Sequence, residues 1–175
     1  MKKLKSLLKV SVFILLTAIL ISSCMKTKDP YASYTPEREA GLIQDWLNAM
    51  VSKKMNIDTT STGLYYIVTK AGAGPTVNAR DSVTVKYTGM FVDGTIFDAS
   101  AYHATDSTFT YMHRDSDPNK RLITGWEEAV DVMNKGEEAA FLIPSAKAYG
   151  VTGSGSIPPN TPLIFVIKMV NIIKE

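Results

Sequence analysis

The alternation of apolar and polar residues along this chain is clearest between residues 83 and 91. One face of the segment carries Val83, Val85, Tyr87, Gly89 and Phe91. A two-residue period of this kind predicts a half-buried β-strand. The dipeptide Asp93-Gly94 ends the run, and both of its residues tolerate the positive φ angles of a tight turn. The sequence therefore predicts a β-hairpin whose second arm begins at residue 95.

The second arm of this hairpin ends in Phe97 and Asp98, an aromatic ring beside a carboxylate. Strict alternation would place these two side chains on opposite faces of the sheet. A bend or bulge would instead let both of them line one cavity. The pattern alone leaves open whether Asp98 lies in such a cavity or on the surface beside a core Phe97.

Four further segments are rich in β-branched and aromatic residues and are predicted to be strands. They cover residues 64–68, 108–112, 139–143 and 162–173. The last of them is apolar on both faces, which predicts a central strand that is covered on both sides. The strand-rich pattern, interrupted by one short helix, predicts an α+β fold with an antiparallel sheet of about five to six strands.

An N-terminal helix is predicted from Pro36 to about Lys54, with Thr35 as its N-cap. Its apolar residues have the spacing of one helical face and are Ile43, Trp46, Leu47 and Met50. Such a stripe packs either on the following domain or on a second copy of the chain, and the pattern favours neither and sets no oligomeric state. With the polar connector that follows, this unit covers residues 36–62.

A short second helix is predicted to begin at Thr124, which forms a capping-box pattern with Glu127. Trp126 lies in its first turn, and Gly136 follows its end. The apolar residues of this helix form one stripe and are Trp126, Ala129, Val130 and Met133. A tryptophan in this position is either a core residue or the floor of a cleft.

The N-terminus has the pattern of a secretory signal. Basic residues precede an apolar run from Val10 to Ile21, which is shorter than the roughly 20 residues of a membrane-spanning helix. The segment Ile21-Ser22-Ser23-Cys24 resembles the lipobox of bacterial lipoproteins, in which the chain is cut before a cysteine that carries lipid. We therefore predict a signal peptide at 1–23, lipid on Cys24 and a tether at 24–35. The alternatives are an uncleaved anchor helix or a buried thiol.

Charge and cysteine content exclude several kinds of protein. Beyond the signal segment the chain has 15 basic and 17 acidic residues, a net charge of −2, which gives no reason to expect nucleic acid as a partner. Cys24 is the only cysteine, so no disulfide is expected within the chain. His103 and His113 lack metal-ligand spacing and are predicted to be solvated loop residues, with no metal site.

The carboxylate pairs Glu127-Glu128 and Glu137-Glu138 are adjacent in sequence and are interpreted as solvated faces. No nucleophile with a suitable base remains. What remains is an aromatic set with one carboxylate, which is typical of an apolar pocket for a small ligand or a peptide. Its members are Tyr87, Phe97, Asp98, Phe109, Trp126, Tyr149 and Phe165.

Four segments in succession resemble the motifs of the FKBP-type peptidyl-prolyl cis-trans isomerases: VKYTGMFVDGTIFDAS, LITGWEEAVDVM, IPSAKAYG and SIPPNTPLIFVIKMV. The resemblance covers about residues 63–174 and implies an isomerase domain at 63–175, with an antiparallel sheet wrapped around one short helix and no cofactor. By the same resemblance, the catalytic residues are Asp98, Trp126 and Tyr149. It implies that substrate is bound by Tyr87, Phe97, Phe109, Leu122, Ile123, Ile157 and Phe165.

In this interpretation Trp126 is the platform under a prolyl ring. The Ile123 N–H and the Tyr149 hydroxyl hold substrate carbonyls, and Asp98 either orients the hydrogen bonds of the pocket or interacts with the rotating carbonyl carbon. The resemblance also implies macrolide inhibitors as ligands. Ser156 replaces a usually apolar residue and the segment 101–120 is longer than in the family, and both departures bear on that affinity.

The expected protein is a peptidyl-prolyl isomerase that acts on Pro-containing polypeptides during folding of exported proteins. Lipid on Cys24 would hold it in the bacterial cell envelope, at the outer membrane on the periplasmic or surface face rather than at the inner membrane. An alternative is a non-catalytic binding or chaperone module for unfolded or Pro-containing segments. A purely structural lipoprotein would leave the aromatic set unexplained.

Overall fold

The structure, a computed structural model, describes residues 29–175. The predicted signal peptide at 1–23, the lipid site at Cys24 and the first part of the predicted tether lie outside the described residues. Residues 31–175 belong to one compact unit. No helix within residues 29–175 has the length and apolar character needed to cross a bilayer.

Residues 29–175 form seven β-strands, two α-helices and three short 3₁₀ helices. The strands and α-helices in chain order are α1 (Pro36–Ser52), β1 (Asp58–Thr59), β2 (Tyr65–Lys70), β3 (Ser82–Phe91), β4 (Ile96–Ala99), β5 (Phe109–Met112), α2 (Thr124–Asp131), β6 (Glu138–Ile143) and β7 (Leu163–Ile173). The 3₁₀ helices are Ser100–Tyr102, Pro118–Lys120 and Ser145–Lys147. The predicted α+β fold is confirmed, and the additional strand is the two-residue β1, which lies within the predicted polar connector.

The sheet has the strand order β1-β2-β6-β7-β3-β4, and β5 also pairs with β3. Every neighbouring pair is antiparallel. β3 is the long central strand, because one of its edges pairs with β7 and its other edge is shared by β5 and β4. The chain leaves the sheet between β4 and β5, and the Ser100 hydroxyl holds this excursion by donating to Ser107 O at 2.7 Å and accepting from the Tyr87 N–H at 3.0 Å.

The predicted hairpin joins β3 to β4. Gly94 has φ +87°, and the Phe91 N–H donates to Thr95 O at 2.9 Å across the turn. The pairing register of β3 with β4 shifts between Gly89 and Met90. This shift is the β-bulge that the sequence pattern allowed but did not decide. This shift brings Phe97 and Asp98 to the same face of the sheet.

The inner face of the sheet packs on α2 and holds the main core. α2 lies close to β6 because Gly125 has no side chain: a Cβ there would lie 2.3 Å from Cγ2 of Ile143. Trp126, Ala129 and Val130 of α2 are buried in this core. The short helix therefore presents the apolar stripe predicted for it to the inner face of the sheet.

The outer face of the sheet is covered in part by α1. Trp46 of this helix is buried in a second cluster with Ile67, Leu142 and Ile164. A polar contact fixes its N-terminal end, because the Glu39 carboxylate accepts from the Ser145 N–H and hydroxyl, both at 2.6 Å. The sequence allowed α1 to pack either on the following domain or on a second copy of the chain. In the structure it packs on the sheet of its own chain.

α1 and α2 both begin at the predicted residues, but only the cap of α1 was predicted correctly. Thr35 caps α1 by accepting from the Arg38 N–H at 3.3 Å. The N-cap of α2 is Ile123, which has no side-chain cap, so the predicted capping box at Thr124 is wrong. The Glu127 carboxylate accepts instead from the Arg114 N–H at 2.9 Å, because the loop before the helix folds back onto its first turn.

Candidate functional site

A cavity of about 120 Å³ opens between α2 and the inner face of the sheet. It is much smaller than the roughly 300–1,000 Å³ typical of pockets that enclose a drug-sized ligand. A cavity of this size suits one ring of a larger ligand. Its walls bring together nine residues singled out in the sequence: Tyr87, Phe97, Asp98, Phe109, Leu122, Ile123, Trp126, Tyr149 and Phe165.

The floor of the cavity is formed by Trp126 and Phe165, which are 4% and 5% exposed, whereas the other lining residues are half-buried. The two rings meet edge to face with centroids 5.2 Å apart. Tyr87 meets the indole in the same way at 5.1 Å. The indole N–H donates to the Tyr111 hydroxyl at 2.9 Å, so this buried polar group is satisfied below the floor.

Phe97 closes one wall because β3 has no side chain at Gly89. A Cβ on Gly89 would lie 2.7 Å from Cζ of Phe97 and 2.8 Å from Cε1 of Phe165. The two phenylalanine rings meet edge to face over this position, with centroids 5.6 Å apart. The glycine therefore allows the aromatic wall to lie directly on the strand.

Asp98 is the one carboxylate that lines the cavity. Its Oδ2 accepts from the Tyr87 hydroxyl at 2.7 Å, and its Oδ1 accepts from the Ala99 N–H at 2.8 Å and lies 2.7 Å from His103 Nε2. Burial alone would raise the pKa of Asp98, but the hydrogen bonds from His103 and Tyr87 outweigh it and hold the pKa below its usual range. Asp98 is therefore an anion at neutral pH, held at both oxygens.

Two hydrogen-bond donors at the cavity have no partner within residues 29–175. One is the Ile123 backbone N–H and the other is the Tyr149 hydroxyl. Burial raises the pKa of Tyr149, and the negative charge of Asp98 raises it further. The Tyr149 hydroxyl therefore keeps its proton at neutral pH and is available as a donor to a ligand.

His113 is wrongly predicted as a solvated residue. It is fully buried, with Nε2 2.7 Å from Asp131 Oδ1 and Nδ1 3.0 Å from Glu127 Oε2. Arg114 also pairs with Asp131. The loop after β5 thus docks on α2 through a buried polar cluster, and Glu127 is buried because it serves this contact.

Glu137 is also buried rather than solvated, because its carboxylate accepts from the Asn134 N–H and side-chain amide in the turn before β6. Glu128 is half-buried and pairs with Lys147. Adjacency in sequence gave the wrong environment for these acids, because Glu128 is paired through the tertiary fold and Glu137 is held by the turn before β6. Within residues 29–175 no cluster of His, Cys, Asp or Glu is arranged to hold a metal ion.

Ile157 is the one predicted pocket residue of the described chain that does not line the cavity. It is 8% exposed and belongs to the main core. Its N–H and C=O both bond to Ser154 at 2.9 Å in a tight turn, which directs this part of the loop into the core. The structure brings the other nine residues together and leaves their individual roles as predictions.

Two residues next to the cavity were not predicted. Tyr111 accepts the indole hydrogen bond, and His103 contacts the cavity carboxylate. Tyr111 follows the predicted pocket residue Phe109 by two positions on a strand, so the period of β5 could have indicated it. His103 follows the 3₁₀ helix Ser100–Tyr102 and lies outside any strand or α-helix, so no periodic pattern could have indicated it.

Comparison with known proteins finds one family that is similar to this chain. The sequence profile of the family described as FKBP-type peptidyl-prolyl cis-trans isomerase matches residues 74–170. The chain is 40% identical to the FKBP-type peptidyl-prolyl cis-trans isomerase FkpA of Aeromonas hydrophila over 123 residues, 70% of this chain and 43% of that protein. It is 36% identical to the peptidyl-prolyl cis-trans isomerase Mip of Coxiella burnetii over 123 residues, 70% of this chain and 50% of that protein.

The fold comparison agrees with the sequence comparison. The crystal structure of FkpA from Escherichia coli matches with a TM-score of 0.67 and 26% identity, covering 95% of this chain and 71% of that one. The chain spans about half the length of the curated relatives it matches. The similarity therefore concerns the shared domain, not the whole length of those proteins.

Gly89→Ala is expected to lower the free energy of unfolding by about 1–3 kcal/mol, the usual cost of overpacking a core. The added methyl would overlap Phe97 and Phe165, and its displacement of them would also distort the cavity wall. Urea denaturation measures the change. The matched control is Gly41→Ala on α1, where a Cβ meets nothing within 4 Å and where we expect a gain of about 0.5–1 kcal/mol. Unchanged stability of Gly89→Ala would show that the wall does not depend on this glycine.

Proposed function

We propose that this chain, which belongs to the family of FKBP-type peptidyl-prolyl cis-trans isomerases, catalyses rotation about X-Pro amide bonds in polypeptides. The observation that carries the proposal is the cavity with its aromatic floor, one carboxylate and two free donors. A prolyl ring is the apolar, ring-sized group that such a cavity accepts. We expect the two donors to bind the carbonyl groups that flank a bound prolyl ring.

The reaction needs no nucleophile. The amide bond resists rotation with a barrier of about 18–20 kcal/mol because twisting removes its resonance. Uncatalysed X-Pro exchange therefore takes tens to hundreds of seconds. The planar amide is the more charge-separated and better-hydrated form, so a water-poor aromatic cavity disfavours it relative to the twisted form. Each 1.4 kcal/mol of this difference raises the rate about tenfold.

The polar groups orient the substrate around this rotation. Both the Ile123 N–H and the protonated Tyr149 hydroxyl belong to cavity-lining residues, and we expect them to donate to substrate carbonyl oxygens. Asp98 keeps the Tyr87 hydroxyl turned toward itself, and we expect its negative charge to face the substrate carbonyl carbon as it rotates. A fixed charge at this point can favour the twisted amide without any proton transfer.

An exchange assay on an X-Pro peptide tests the activity. We expect the chain to accelerate cis-trans exchange, and Asp98→Ala and Trp126→Ala each to lower kcat/KM at least about tenfold, the effect of 1.4 kcal/mol. The matched control is Asp45→Ala, which removes an exposed carboxylate on α1 and is expected to leave the rate unchanged. Circular dichroism of each variant separates loss of the site from loss of the fold.

Absence of any acceleration by the folded chain would reject the isomerase proposal. A holding function would then be the better account if the chain suppresses aggregation of a proline-free client and the same two variants leave that suppression unchanged. Macrolide binding is part of the proposal for this cavity. Ser156 lies outside the cavity wall, so the polar replacement there is expected to leave the aromatic floor intact.

We further propose that the chain acts on exported proteins from the surface of a membrane in the bacterial cell envelope, with lipid on Cys24. Support comes from the basic and apolar N-terminal segment, from the lipobox-like sequence before Cys24, and from the absence of any other cysteine in the chain. Each buried CH₂ group of a lipid chain contributes about 0.8 kcal/mol, so several chains together make release from the membrane slow.

Metabolic labelling with a fatty acid analogue in bacteria tests this anchor. We expect the wild-type chain to be labelled and to remain with the membrane fraction, and Cys24→Ser to lose both properties. Ser23→Ala retains the cysteine and serves as the control that should stay labelled. Label on the Cys24→Ser chain would refute Cys24 as the attachment site.

A further inference from the structure

The cavity carboxylate is connected to the surface through a histidine. His103 follows the 3₁₀ helix Ser100–Tyr102 and is 62% exposed, yet its Nε2 lies 2.7 Å from Asp98 Oδ1. The other oxygen of Asp98 accepts from Tyr87. The carboxylate is thus held between a hydroxyl inside the cavity and an imidazole outside it.

Other charged and titratable groups near this pair are engaged or uncharged at neutral pH. Asp106, in the same loop as His103, directs its carboxylate to the N–H and hydroxyl of Thr108. Two tyrosines face Asp98: Tyr87 from β3 and Tyr149 from the loop after β6. Burial raises the pKa of both, so both are uncharged at neutral pH. Within residues 29–175, Asp98 is the one ionisable side chain that His103 contacts by hydrogen bond or ion pair.

We propose that His103 is a positioning residue for the isomerase reaction, which holds the Asp98 carboxylate more firmly when its imidazole is protonated. The inference rests on the proposed isomerase function. His103 does not line the cavity and does not touch the reacting amide; it acts through Asp98.

The sign of the effect follows from the chemistry of the contact. A protonated imidazole donates a charge-assisted hydrogen bond, which is roughly twice as strong as the bond from a neutral donor. Histidine is also the side chain whose unperturbed pKa lies within the range of pH 5–8. Activity is therefore expected to be higher while the His103 imidazole carries a proton and lower once that proton is lost.

Only one other histidine could mimic this dependence. His113 is fully buried between Glu127 and Asp131 and packs on Tyr111, and Asp98 is not among its hydrogen-bond or ion-pair partners. Variants at position 103 leave that cluster intact. A pH effect that disappears in them is therefore assigned to His103.

Exchange in an end-blocked X-Pro peptide, followed by NMR without a protease, tests the inference at pH 5.5 and 8.0. The peptide has no group that titrates in this range. We expect kcat/KM of the full chain to be about threefold higher at pH 5.5, an effect within that of one charge-assisted hydrogen bond. The change should appear in kcat with little change in KM, because His103 makes no part of the cavity wall.

Three variants separate charge from hydrogen bonding. His103→Arg keeps a charge at both pH values and should be pH-independent near the higher rate. His103→Gln keeps a neutral donor and should be pH-independent near the lower rate. His103→Ala has neither and should fall below both, with His103→Gln restoring part of the loss.

The outcomes distinguish this inference from the function it rests on. An active chain with a flat profile, or a His103→Gln variant that keeps the wild-type profile, would overturn the role of His103 alone. A folded wild-type chain with no activity at either pH would overturn the isomerase proposal and this inference with it.

Discussion

The site depends on the burial of one indole with its polar atom satisfied. An aromatic ring at the base of a cavity must be fixed in orientation, and a buried N–H without an acceptor would destabilise that position. Tyr111 provides the acceptor for Trp126 from below, while Tyr87 and Phe165 pack edge to face against the ring. The remaining features of the cavity are arranged around a floor that these contacts hold in place.

Two glycines let the secondary structure come close enough to make that floor. Gly125 brings α2 against β6, and Gly89 lets Phe97 and Phe165 meet across β3. The β-bulge beside Gly89 then places a carboxylate in the same apolar wall. The Asp98 carboxylate is stable in this apolar wall because both of its oxygens accept hydrogen bonds. The cavity therefore carries a fixed negative charge.

Much of this arrangement could be predicted from the sequence, because the strands, turns and helices follow from patterns between residues close together in the chain. The alternation of β3, the Asp93-Gly94 turn and the apolar stripe of α2 predicted the elements, and the aromatic set predicted most of the cavity. Prediction failed where contacts close over long distances. Nothing local to His113 indicates that Glu127 and Asp131 bury it, and the bulge that decides the side of Asp98 is a property of two paired strands. The docking surface of Trp46 was likewise undetermined until the outer face of the sheet was known.

The chain carries two tryptophans on opposite faces of one sheet, Trp126 in the cavity floor and Trp46 under α1, and this provides an internal control for the central claim. That claim is that a prolyl ring binds against the indole of Trp126. Titration with a short X-Pro peptide, followed through the two indole N–H signals by NMR, tests it most directly. The account predicts a shift of the Trp126 signal, upfield ring-current shifts of the proline protons and an unmoved Trp46 signal. A titration that moves Trp46 while leaving Trp126 unchanged, or that moves neither indole under conditions where exchange is catalysed, would contradict it.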